Sequence, residues 1–132
     1  MKFSFTLLVD DDSTSNLISE RILSKTNLTE KVHVTWNGKE AIDYIVSSID
    51  EGNDIVDCPD FILLDINMPI MDGFEFLDAF QKIDTRGKDI KIVMLTSSID
   101  RHDMETSKKY PIHGYITKPL TFEKLLSAVE QL

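Results

Sequence analysis

Phe61-Ile62-Leu63-Leu64 is an unbroken apolar run that stops at Asp65, and beyond Met71-Asp72-Gly73 the apolar residues Phe76, Phe80 and Ile83 recur at helical spacing. A short run with no polar residue alternating in it suits a strand covered on both faces, the condition of a parallel sheet. The unit repeats along the chain. Thr6-Leu7-Leu8-Val9 and Ile92-Val93-Met94-Leu95 are equally continuous, whereas Val32-His33-Val34-Thr35-Trp36 alternates and is expected at a sheet edge, with the weak run Gly114-Tyr115-Ile116-Thr117 at the other. Between the runs, Ile18, Ile22 and Leu23 mark a first helix, and Ile42, Ile45 and Ile49 a second that opens after Gly38. Residues 99 to 109 suggest a fourth helix anchored by little more than Ile99 and Met104, so it should be the least stable. Phe122, Leu125, Leu126, Val129 and Leu132 form the clearest helical stripe, with Thr121 as N-cap, and are expected to pack on the sheet. Alternating strands and helices predict an α/β fold with a parallel sheet between helical layers. Glu51 to Asp54 and Asp84 to Asp89 read as loops.

The 132 residues suit one domain, taken as 1–132. Lys and Arg total 14 against 23 Asp and Glu, a formal charge of -9, and such a surface repels nucleic-acid phosphates and anionic membranes. Direct nucleic-acid binding and membrane attachment are therefore not expected. Cys58 is the single cysteine and cannot form an internal disulfide; no apolar stretch approaches the ~20 residues of a membrane span. A cytoplasmic location follows as the expectation.

In an open parallel sheet, the residues just after each strand converge on one crevice. Here those residues are Asp10 and Asp11, Asp65, Thr96, and Lys118 followed by Pro119. Two carboxylates about 4 Å apart repel by roughly 4 kcal/mol at an effective dielectric of 20, so several together call for a counter-charge. A hard divalent cation such as Mg²⁺, taking oxygen ligands from one or two carboxylates and leaving the rest to water and phosphate, supplies it. Such a site can hold a phosphoryl group, with Asp65 as nucleophile. Each residue alone has a plainer reading: Asp10-Asp11-Asp12 as a helix cap, Asp65 as a turn residue, and Thr96 or Lys118 as nothing in particular. Their convergence at four strand ends favours the site.

Leu8-Val9-Asp10-Asp11, Leu64-Asp65-Ile66-Asn67-Met68-Pro69, Met71-Asp72-Gly73, Leu95-Thr96-Ser97 and Gly114-Tyr115-Ile116-Thr117-Lys118-Pro119 resemble, in order and over nearly the whole chain, the motifs of two-component response-regulator receiver domains. That resemblance implies the flavodoxin-like (βα)5 sandwich with strand order 2-1-3-4-5. It implies Asp65 as phosphoacceptor, Asp11 as a direct Mg²⁺ ligand, Asp10 acting mainly through metal-bound water, and Asn67 lending its backbone carbonyl. Thr96, the Ser97 backbone N–H and Lys118 would each take a phosphoryl oxygen, and Tyr115 would be the switch aromatic. The Lys118-Pro119 bond is expected to be cis. A sensor histidine kinase or histidine phosphotransfer protein would donate the phosphoryl group, and the surface of helix four, strand five and helix five would then bind an output protein or pass the group on.

Two departures from the motifs stand out. Three acids stand in a row where two are usual, so Asp11 with Asp12 is the alternative register; Asp10 with Asp11 is preferred because the apolar strand ends at Val9, leaving Asp12 to cap or to face water. The segment Ser107 to His113 lacks a small-residue helix ending, and Pro111 should stop that helix or kink it. His33, His102 and His113 show no ligand pairing, Cys58 is expected to be inert, and Trp36 is expected to pack. Rival functions are a Mg²⁺-dependent aspartyl-phosphate phosphohydrolase and a flavin carrier. The first usually places an acid where Asn67 stands, and the second needs a phosphate loop where three acids would repel the ligand.

Overall fold

The structure is a computed structural model that describes residues 2–50 and 58–132. Five strands, β1 (Phe3–Val9), β2 (Thr29–Thr35), β3 (Phe61–Leu64), β4 (Lys91–Thr96) and β5 (Gly114–Thr117), alternate with α1 (Ser13–Thr26), α2 (Gly38–Asp50), α3 (Gly73–Phe80), α4 (Arg101–Ser107) and α5 (Phe122–Glu130). All neighbouring strands pair in parallel in the order β2-β1-β3-β4-β5, so the two expected edges are the observed edges. This is the flavodoxin-like sandwich.

Side-chain alternation along each strand builds two cores. Leu7, Val9, Ile62, Leu64, Ile92 and Met94 meet Ala41 and Ile45 of α2 and Phe76 and Leu77 of α3 on one face. Leu8, Leu63, Val93, Leu95 and Ile116 meet Leu23 of α1 and Leu125 and Val129 of α5 on the other. The central strands are buried on both sides, which is why they read as continuous apolar runs.

Register then positions the polar residues. Val9 lies opposite both Thr35 and Leu64, and the Asp65 N–H donates to the Val9 carbonyl at 2.9 Å, so Asp10 and Asp65 leave the sheet side by side. Thr96 lies opposite Thr117, and the Lys118 N–H donates to the Thr96 carbonyl at 2.8 Å. The Lys118-Pro119 bond is cis.

Several sequence expectations are corrected in detail. The helix that opens at Gly73 ends at Phe80, beyond which the Lys82 and Ile83 N–H groups close tighter turns onto the Ala79 and Phe80 carbonyls; Ile83 is still packed on the core. The fourth helix is only Arg101–Ser107, because Asp100 caps the His102 N–H and Lys109 and Tyr110 close tighter turns onto Thr106 and Ser107 before Pro111. Its two anticipated anchors face water, Ile99 being 78% and Met104 39% exposed. Phe122, the first residue of α5, is 48% exposed, because the buried stripe of that helix starts one turn later at Leu125. Trp36 falls just past β2 and is 43% exposed rather than packed. The loop expected at Glu51 to Asp54 lies outside the described residues. No helix among the described residues is long and apolar enough to cross a membrane.

Candidate functional site

Asp10 and Asp65, 4% and 6% exposed, close the carboxyl ends of β1 and β3, and the Lys118 Nζ reaches between them from the end of β5. It lies 2.8 Å from Asp10 Oδ2 and 3.1 Å from Asp65 Oδ2. The exposed Asp11 completes the group: one carboxylate oxygen from each of Asp10, Asp11 and Asp65 lies within 4.8 Å of the others. Three carboxylates thus face one ammonium. Burial pushes the Asp10 carboxyl above the usual carboxylate range, and the charge of Asp65 adds to it, against hydrogen bonds from Lys118 and from the Asp12 N–H. Burial alone would lower Lys118; the hydrogen bond to Asp10 and the charges of Asp65 and Asp10 outweigh it and raise that amine. The site therefore carries more negative charge than its own cation balances. Its donors, all hard carboxylate oxygens and crowded, fit a hard metal cation.

Asp65 is held at both oxygens, since Oδ1 accepts from the Ile66 N–H at 2.7 Å while Oδ2 accepts from Lys118. Its backbone is pressed against α3: the Gly73 N–H donates to the Ile66 carbonyl at 2.8 Å, and a Cβ on Gly73 would lie 2.3 Å from the Asp65 carbonyl oxygen. Only glycine lets α3 start this close. The next turn is fixed by a capping box in which Asp72 accepts from the Glu75 N–H and Glu75 accepts from the Asp72 N–H.

Asp10 is braced in a comparable way. Its Oδ1 accepts from the Asp12 N–H at 2.9 Å, and its carbonyl accepts from the Nδ2 of the buried Asn16 at 3.0 Å. The Asp12 carboxylate is committed elsewhere, accepting from the Thr14 and Ser15 N–H groups as the N-cap of α1. Asn67, two residues past Asp65, is exposed.

The remaining anticipated residues belong to β4, β5 and the loop after β4. Thr96 is fully buried. Ser97 and Lys118 line a cleft of about 280 Å³ together with Asp12, Thr14, Ile18 and Pro119. Tyr115 donates its hydroxyl to the Ser98 carbonyl at 2.9 Å, bridging β5 to the loop after β4. The histidines lie apart from the carboxylates: His33 stacks on Tyr44 and His113 Nδ1 accepts from the Ile92 N–H at the opposite end of β4. Cys58 is buried, which pushes its thiol up.

Asn16, Glu75 and Ser98 have no place in the sequence reading, and Asp72 enters it only within Met71-Asp72-Gly73. Asn16 was hidden among polar helix residues, and its signal is a polar side chain on the helix face that turns inward. Asp72-x-x-Glu75 is a legible capping signature. Ser98 follows the Leu95-Thr96-Ser97 motif and carries no distinguishing pattern.

The response regulator receiver domain family model matches residues 6–130. Two-component response regulator 24 of Arabidopsis thaliana is 32% identical over 96% of this chain and 81% of its own length. Among solved structures, a two-component response regulator from Cytophaga hutchinsonii superimposes with a TM-score of 0.84 at 27% identity, covering 98% of this chain and 96% of that one. The phosphorylated cyanobacterial phytochrome response regulator RcpA superimposes at 0.74 with 28% identity, over 96% and 89% of the two chains. With the sheet order, the acidic strand ends and the lysine before a cis-proline all in place, the chain belongs to the response regulator receiver domain family, the signalling phosphoacceptors of two-component systems.

Proposed function

We propose that Asp65 is the phosphoacceptor and that residues 1–132 act as a single receiver domain in the cytoplasm, charged by a sensor histidine kinase or a histidine phosphotransfer protein. The observation that carries this reading is Lys118 reaching across the strand ends to both Asp10 and Asp65. A lone pair on one oxygen of the Asp65 carboxylate attacks the phosphorus of the donor's phosphohistidine; a P–O bond forms, the P–N bond breaks, and its electron pair returns to the imidazole. The Ile66 N–H and Lys118 fix the orientation of the nucleophile before attack. Lys118 then follows the developing negative charge onto a phosphoryl oxygen, and Thr96 and the Ser97 N–H are the donors for the other two.

Asp10, Asp11, Asp65 and the Asn67 carbonyl are the groups that would hold Mg²⁺, which when bound supplies neutralisation of the crowded carboxylates and of the incoming phosphoryl oxygens. Asp10 and Asp11 outrank Asp11 and Asp12 as the acid pair because the Asp12 carboxylate is occupied by α1. The domain is not an enzyme toward other substrates in this reading. An aspartyl-phosphate phosphohydrolase is disfavoured by the amide at Asn67. Output runs through α4, β5 and α5 to a protein partner or to onward transfer, with Thr96 and Tyr115 as the switch residues, and without direct contact to nucleic acid or membrane.

The test is intact mass after incubation with acetyl phosphate and Mg²⁺. The wild-type protein should gain one phosphoryl group per chain and Asp65→Asn none; wild-type labelling of Asp65→Asn removes the assignment, and many turnovers of the ester per chain favour the hydrolase.

A further inference from the structure

Ser98 lies between the site and the weakly anchored helix α4, and all its polar groups are engaged. Its N–H donates to Thr96 Oγ1 at 3.2 Å, its carbonyl accepts from Tyr115, and its hydroxyl donates to Asp103 Oδ2 of α4 at 2.7 Å while accepting from the Asp100 N–H at 3.3 Å. Only Ser107 of α4 is buried, so apolar packing holds this helix poorly and the Ser98–Asp103 bond ties its first turn to the loop after β4. The Thr96 hydroxyl, in accepting from Ser98, donates to no described residue, so its own proton is available to an acceptor on Asp65.

Resting on the phosphoacceptor reading above, we propose that Ser98 is a positioning residue that passes the state of the Asp65 site to α4, and that its hydroxyl bond to Asp103 is the link. A phosphoryl oxygen drawing Thr96 Oγ1 inward pulls the Ser98 N–H with it. The serine side chain has one rotatable bond between backbone and hydroxyl, so its oxygen follows the main chain with little slack, and Asp103 follows the oxygen. Tyr115 is moved by the same residue through the carbonyl. One displacement thus reaches β5 and α4 by separate bonds.

Ser98→Ala keeps the N–H and carbonyl and cuts only the hydroxyl bonds; Asp103→Ala cuts the same link from the other side; Ser98→Thr restores a hydroxyl. Beryllofluoride with Mg²⁺ is the probe, read by amide exchange over residues 100 to 108 and by calorimetric titration. Wild type and Ser98→Thr should show a beryllofluoride-dependent change in α4 exchange, which shrinks about fivefold or more in both alanine variants, with no further loss when they are combined. Coupling is reciprocal, so the alanine variants should also bind beryllofluoride with an affinity altered several-fold, an effect that fraying of α4 alone does not produce. A wild-type α4 response in Ser98→Ala, or an unaltered affinity, overturns the inference. Failure of Ser98→Thr to recover both readouts also overturns it. Acetyl phosphate labelling of the wild type separates the two levels: absent labelling at Asp65 fails the underlying reading as well, whereas labelling without an α4 response fails the Ser98 link alone.

Discussion

Asp10→Asn should stabilise the metal-free protein. Oxygens of Asp11 and Asp65 lie within 4.8 Å of one from Asp10, and at an effective dielectric of 20 each such pair costs at least about 3.5 kcal/mol. The Lys118 ammonium at 2.8 Å returns about 6 kcal/mol on the same scale. Attraction and repulsion nearly cancel, which leaves burial to decide, and burial disfavours the charge. Asparagine has the same shape and keeps an oxygen for the Asp12 N–H; its Nδ2 cannot accept from Lys118, whose ammonium turns to Asp65 alone. About 7 kcal/mol of repulsion against about 6 of attraction leaves a gain of about 1 kcal/mol, or roughly 3 to 5 °C in midpoint, as the expected size. The sign with pH follows from the direction of the shift. The folded Asp10 binds its proton more tightly than the unfolded one, so its favourable contribution is complete below the ordinary value of 3.8 and is lost as pH rises through the folded value. The advantage of Asp10→Asn should accordingly vanish in acid and grow toward neutrality. With Mg²⁺ at about ten times its Kd the wild type gains about 1.4 kcal/mol and the variant less, closing the gap. Thermal unfolding with chelator and with Mg²⁺ measures all of this. A lower metal-free midpoint for Asp10→Asn, or an undiminished Mg²⁺ shift, would refute the reasoning.

Gly73→Ala places a methyl 2.3 Å from the Asp65 carbonyl oxygen and 2.9 Å from Ile66 Cα, backbone that must itself move; a loss of about 1 to 3 kcal/mol in urea unfolding and slower labelling of Asp65 are expected. Asp72→Ala removes the capping box of α3 and should cost about 1 kcal/mol, read from the urea midpoint at unchanged slope. Thr96→Ala should still gain phosphoryl mass but show a much smaller beryllofluoride-dependent change in amide exchange across residues 97 to 120.

The strands and their ends were legible because two-sided burial leaves unbroken apolar runs, and a parallel register then forces Asp10, Asp65 and Lys118 together once each run ends in a polar residue. Helix limits were less legible. The stripe Phe76, Phe80, Ile83 continues past the end of α3 because a turn can return Ile83 to the same core without helical hydrogen bonds. The spacing of Ile99, Met104 and Phe122 suggests anchors, yet spacing does not say which side of a short helix meets the sheet. Asn16 and Gly73 act on the backbone of residues several positions away, and Ser98 through the Asp103 carboxylate and the Tyr115 hydroxyl; contacts of that kind leave no period to read.

The central claim, that Asp65 carries the phosphoryl group, is tested most directly by borohydride trapping. Reduction of an aspartyl phosphate yields homoserine, and peptide mapping locates it. Protein treated with acetyl phosphate and Mg²⁺ should yield homoserine at position 65 alone, and none when Mg²⁺ is chelated. Homoserine at position 10, 11 or 12 in place of 65, or none at any position in protein that has gained phosphoryl mass, would contradict the account.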